Sequence, residues 1–202
     1  MKSKRFLCLL LVLLMVFSLT PSETRAETTV YFTAVNDQLL PDLSDETMPF
    51  WSGGRLYVPS TVITGTDLGL FYSRSRDKST AVVYRQGSAL TFNFAAGTVA
   101  DQNYRQYSGP AIVRSDVVFL PLDLLTQFFS LDYSYTRVTY GYLVRVKSDT
   151  VVLSDAKFID AAAMSMEQRY NEYMKTHSES NDPGNTPDQN TCLLYTSDAA
   201  DD

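Results

Sequence analysis

The chain is poor in the residues from which catalytic centres are most often built. Among 202 residues it has one histidine, His177, and two cysteines, Cys8 and Cys192. A zinc or copper site made of imidazoles takes two or three histidines, so no metal site or other cofactor is expected. A Ser–His–Asp or Cys–His set would have to rely on His177, whose Ser-, Asn- and Pro-rich surroundings read as a solvated linker that cannot hold catalytic geometry. The body between the two cysteines has no disulfide to form, and about 150 residues can bury enough surface to fold without one. Gly53-Gly54 is not followed by Lys-Ser/Thr and opens a strand, so no phosphate-binding loop is expected. Carboxylates are plentiful. Asp116 and Asp123 fall near each other around Pro121, yet Asp123 reads as a first-turn helix residue favoured by the helix dipole, and neither reads as catalytic.

Basic charge is also scarce, with 17 Lys and Arg against 23 Asp and Glu. After residue 26 there is no Lys/Arg cluster, which excludes nucleic acid and anionic membrane surfaces as expected partners. The one long apolar run, Phe6 to Leu19, is short for a bilayer span. With Lys2, Lys4 and Arg5 before it and Thr24-Arg25-Ala26 after it, residues 1–26 read as a secretory signal peptide cleaved before Glu27. Cleavage removes four basic residues and Glu23, leaving 13 basic and 22 acidic side chains. The expected location is therefore secreted or cell-wall-associated, with no membrane attachment after cleavage.

What is present from Thr28 to Ser154 is Tyr, Phe, Val, Leu and Thr, broken by Gly, Pro, Asp and Asn every 8–12 residues, the pattern of short strands joined by turns. Strands are expected at Val30–Val35, Arg55–Val58, Val117–Leu120, Tyr133–Tyr135, Gly141–Val146 and Thr150–Leu153. A hairpin is expected from Thr80–Arg85 and Ala89–Phe94 across Gln86-Gly87-Ser88. Two strands end on proline. Leu56-Tyr57-Val58-Pro59 lines up with Val118-Phe119-Leu120-Pro121 at a spacing of 62, which also pairs Phe71 with Tyr133 and Ser73 with Tyr135. Pro121 leads into a short helix with Leu124, Leu125 and Phe128 on one side, while Ser60-Thr61-Val62-Ile63 is a weaker helix former. The spacing predicts a duplicated unit. The fold class is α+β: an antiparallel sheet domain over residues 27–156, in two similar halves of about 28–90 and 88–154, each with a short Pro-started helix.

The period then changes. Phe158, Ala162, Met166, Tyr170 and Met174 recur at steps of four, with Ile159, Ala163 and Tyr173 beside them, predicting an amphipathic helix over residues 157–176 that packs on the sheet. Residues 177–191 read as a flexible linker. Residues 192–202, Cys192 to Asp202, resemble the translation of a sequencing adapter and are set aside from fold reasoning.

The stretches "LYVPSTVITGTDLGLFYS" and "VVFLPLDLLTQFFSLDYSY" resemble the copper amine oxidase N-terminal-like domain, a stalk domain of exported proteins in Gram-positive bacteria. The resemblance covers about Thr28 to Ser154, although Ser60 and Thr61 stand where Leu-Arg is usual. It implies neither copper nor amine oxidation. The Asn-Tyr pair, Asn103-Tyr104, is followed by Arg105 where the quinone-forming motif needs an acid, and there is a single histidine. The expectation is a non-catalytic extracellular stalk or adaptor module, with cell-wall polysaccharide or an envelope protein as partner. The alternative is the N-terminal part of a secreted wall-acting hydrolase or polysaccharide deacetylase. Trp51, Tyr104 and Tyr107 are the candidate ligand-contact aromatics, since flat rings with polar rims stack on sugars. Cross-strand packing is the commoner use of such rings.

Overall fold

The computed structural model describes residues 29–64 and 66–180; the expected signal peptide, most of the expected linker and the adapter-like tail lie outside the described residues. Among the described residues, thirteen strands and two α-helices form an α+β fold of mostly antiparallel sheets. The first sheet holds β12 (Asp132–Val138), β13 (Gly141–Lys147), β1 (Tyr31–Val35) and β2 (Gln38–Leu39), in that order. The second holds β10 (Ile112–Arg114), β11 (Val117–Pro121), β4 (Arg55–Pro59) and β3 (Phe50–Ser52). The third is a meander of β5 (Phe71–Arg74), β6 (Thr80–Arg85), β7 (Ser88–Asn93), β8 (Thr98–Asp101) and β9 (Gln106–Tyr107).

The 62-residue spacing has a geometric meaning in the second sheet. Shifting β3 and β4 by 62 lands on β10 and β11 end for end. The turns correspond as well: Gly53-Gly54 and Ser115-Asp116 all have positive φ, as a tight hairpin of native twist requires. β4 and β11 pair antiparallel with Val58 opposite Leu120, its own equivalent, so a local two-fold axis passes between the hairpins. Each hairpin runs on through its proline. Ser60–Val62 makes one 3-10 turn, the weak helix expected there. Leu122–Phe129 makes α1, with Pro121 as its N-cap and Ser130 left-handed at its end. Leu122, Leu124, Leu125 and Phe129 are its buried side, and Phe128 is half-buried.

The spacing stops predicting at Thr150–Leu153. That segment is not a strand, because the free side of β13 is taken by β1 in parallel register, Tyr31 beside Tyr142 through Val35 beside Val146. The displaced segment instead donates the Val152 and Leu153 backbone N–H groups to the Asp37 carboxylate, at 2.8 and 3.0 Å. The parallel pair is buried on both faces, so it lacks polar alternation. Gly141 makes the entry to β13 possible. Its φ is +145°, and a Cβ there would strike the Val30 carbonyl oxygen, which accepts the Tyr142 N–H at 2.9 Å.

Two cores result. All three sheets and α1 close on Val58, Phe92, Leu120, Leu125, Phe129 and Val144. The other face of the first sheet, with Val30, Phe32, Ala34 and Leu143, receives α2 (Asp155–Ser180) through Phe158, Ala162, Met166 and Tyr173. The helix is longer than the expected 157–176. It starts at Asp155, and it carries His177 through Ser180 as helix, not linker. Met174, assigned to the buried stripe, is 39 % exposed and Tyr173 is buried in its stead. Steps of four residues overshoot a 3.6-residue turn by about 40° each, so the stripe drifts off the sheet within four steps. Among the described residues, no helix is long and apolar enough to cross a membrane.

Candidate functional site

Trp51 sits on the edge strand β3, where pleat alternation turns it away from Phe50. Phe50 packs on Tyr57 and Phe119, on the sheet face opposite the core residues Leu56 and Val58. Trp51 shares the face of Leu56 at the margin of the core, 47 % exposed, edge-on against Tyr135 at 5.5 Å and 83°. Tyr135 is stacked flat on Tyr142 at 4.8 Å and 5°, and Tyr142 on Tyr31 at 5.8 Å. These tyrosines come from β12, β13 and β1, on the face that the first sheet turns toward the three-sheet core, at the margin where each remains half-exposed. Burial raises the Tyr135 phenol, the Trp51 side chain opposes this, and Tyr31 and Tyr142 add to the rise. Tyr135 therefore stays uncharged at neutral pH, and the shelf offers ring faces bordered by phenol hydroxyls and an indole N–H.

Tyr104 and Tyr107 belong to another neighbourhood, the β8–β9 turn. The Asp101 carboxylate accepts from the Asn103 and Arg105 backbone N–H groups at 2.8 and 2.9 Å, which holds Tyr104 at φ +62° with its ring 86 % exposed. Tyr107 is half-buried. Its ring meets Phe128 edge-on at 5.6 Å and its hydroxyl donates to Asp101 at 3.2 Å. Tyr107 thus packs the core margin against α1, and the ring shelf is made by Trp51 with Tyr135, Tyr142 and Tyr31, three tyrosines none of which was a ligand-contact candidate from sequence.

Several charged residues hold elements together. Asp123, in the first turn of α1, accepts from Arg55 at 2.8 Å, while Asp116 accepts from Arg74 at 3.0 Å and Lys78 at 2.7 Å, so the two acids serve different partners. Lys78 and Arg74 hold the Asp116 carboxyl below its usual range.

Arg145 was not singled out from sequence, although a lone cation among Leu143, Val144 and Val146 is the mark of a buried charge. It is fully buried. Its Nε donates to the Asn36 carbonyl at 2.6 Å, Nη1 to Asp155 at 2.7 Å, and Nη2 to Asp37 at 2.8 Å and the Leu153 carbonyl at 2.9 Å. The guanidinium also lies 4.4 Å over the Phe158 ring. One side chain thereby ties the β1–β2 turn, β13, the displaced segment and the start of α2.

His177 is not a solvated linker residue. Its Nε2 is 2.8 Å from Asp45, and its ring lies 3.9 Å from that of Tyr173, whose hydroxyl donates to Asp45 at 2.5 Å. The Asp45 bond, then the Tyr173 carbonyl, raise the His177 pKa, and the Tyr173 and His177 bonds lower that of Asp45. The i, i+4 relation of Tyr173 and His177 was the available signal. Among the described residues, no group of three or more His, Cys, Asp or Glu is gathered as a metal site would require. Comparison with protein-family models, curated proteins and solved structures returns no match.

Proposed function

We propose that this chain is a non-catalytic, extracellular stalk or adaptor module of a cell envelope, and that it touches wall glycan through the ring shelf. The observation that carries the reading is Trp51, 47 % exposed on an edge strand and held edge-on by Tyr135. A tryptophan fixed by packing presents a flat face at little entropic cost, and the neutral hydroxyl rim suits the hydroxyls of a sugar. The resemblance of the two Pro-ended strands to stalk domains supports the same reading, as does the use of Asp37, Asp45, Asp116, Asp123 and Asp155 as structural anchors.

The test is co-sedimentation of the full chain with purified cell-wall sacculi, compared with Trp51→Ala. Losing an aromatic contact of about 1.4 kcal/mol weakens binding about tenfold. Because Trp51 is exposed, the variant is expected to melt within a few degrees of the parent chain. Equal retention of both proteins removes the shelf from the reading and leaves the spacer role; no retention of either removes wall contact altogether.

A further inference from the structure

We infer that the outer face of the third sheet is a docking platform for a neutral polysaccharide strand, a second contact of the wall-binding module proposed above and dependent on that reading. The sheet's register divides its residues into two faces. The inner face carries Val83, Leu90, Phe92 and Val99 into the core. The charged side chains of these strands, Arg74, Arg85 and Asp101, also lie on that side by register, and each has a partner: Asp116, the Phe129 carbonyl, and the Tyr107 hydroxyl. The outer face carries no charged side chain in any of its cross-strand rows, and every position on it is exposed or half-exposed. An antiparallel sheet with one wet face ordinarily does the reverse, turning its charges to water.

What this face holds is specific. Phe71 and Tyr84 are directly opposite on β5 and β6, 53 % and 42 % exposed, with rings stacked at 5.4 Å and 23°. Four strand residues further along, Thr80, Asn93 and Thr98 form a row of hydroxyl and amide groups across β6, β7 and β8. Thr91 lies between the two rows, opposite Val82. Adjacent strands set such rows at about 4.8 Å intervals, a regular polar ladder beside a ring platform.

A nucleic acid or an acidic polymer finds no cation here, and a basic one finds no carboxylate. The C–H faces of neutral sugars stack on the ring pair, and their hydroxyls exchange hydrogen bonds with the Thr–Asn–Thr row. Neutral sugar chemistry is the occupant this charge pattern fits.

The test uses the full chain with chitin particles and with purified sacculi. Three variants are compared: Phe71→Ala with Tyr84→Ala, Thr91→Lys, and Trp51→Ala. All these positions are exposed, so thermal melts and circular dichroism verify that the fold is kept. The double variant and Thr91→Lys are each expected to bind chitin at least about tenfold more weakly, the loss of one aromatic or polar contact of hot-spot size. If both bind as the parent does while Trp51→Ala loses sacculus binding, the platform is overturned and the wall-contact reading stands. If the parent binds neither material, both fall. If ultracentrifugation shows a dimer that Thr91→Lys dissolves, a second copy covers the face and the platform is overturned.

Discussion

Replacing Arg145 with Met keeps an unbranched apolar stem of similar reach and removes the guanidinium. Four hydrogen bonds are lost, two to carboxylates and two to backbone carbonyls, together with the contact over Phe158. Deleting one partner of a buried ion pair costs about 3–5 kcal/mol because the other charge is left uncompensated. The Asp37 and Asp155 side chains keep 27 % and 34 % exposure, so water takes over part of their load and the lower end, about 3 kcal/mol, applies. At a urea slope of about 2 kcal/mol/M, the unfolding midpoint should fall by roughly 1.5 M, and the melting temperature by about 6–12 °C. Equilibrium urea unfolding followed by tyrosine and tryptophan fluorescence reads this directly. A fall below about 0.5 M at unchanged slope would refute the reasoning, since it would mean that apolar packing replaces the network without loss. The cycle with Asp37→Asn sharpens the test: that change should destabilise the parent chain and cost less beside Met, where only the backbone N–H bonds from Val152 and Leu153 remain to be disturbed. Acid adds a further check. The Asp37 carboxyl is held low by the Val152 N–H, then by Leu153 and Arg145 against the opposing effect of desolvation, and Asp155 is held low by Arg145, Ser134 and Lys147 despite its larger desolvation. Folded-state values below the usual range mean stability that is present above about pH 4 and lost as pH falls through them, less steeply in the Met variant.

His177, raised in the fold by Asp45, contributes stability below its ordinary value near 6.5 that is lost as pH rises through the folded value. The melting temperature should therefore decline from pH 6 to pH 9 in the parent chain and stay flatter in His177→Asn; identical profiles would show that the Asp45 contact contributes nothing. Gly141→Ala should cost about 3 kcal/mol, read as a lower urea midpoint, because a side chain there meets both a glycine-only φ and the Val30 carbonyl.

Local rules were enough for much of this fold. Alternation and β-branching located β1, β4, β6, β7, β11, β12 and β13, and Gln86-Gly87, at φ +29° and +81°, made the predicted hairpin turn. The spacing of 62 identified hairpins that lie about a two-fold axis. The stripe from Phe158 to Met166 placed a helix against a sheet. Each of these depends on residues within a few positions of one another, or on a repeat, and both are visible in one dimension.

The candidate site was less legible. Trp51 was named for its type, but the tyrosines that fix it come from strands far along the chain and become neighbours only through sheet register. Short strands such as β8 and β9 carry too few residues to show alternation. What tertiary structure alone decided was competition for partners. β1 took the free side of β13 and the expected Thr150–Leu153 strand did not form, Arg145 was buried because two carboxylates more than 100 and 10 residues away met it, and His177 stayed helical because Asp45 was in reach. Composition and periodicity determine which segments become strand or helix and which face is apolar. Which strand wins a shared edge, and which charges can be buried, follow from long-range pairing energies that no local pattern contains.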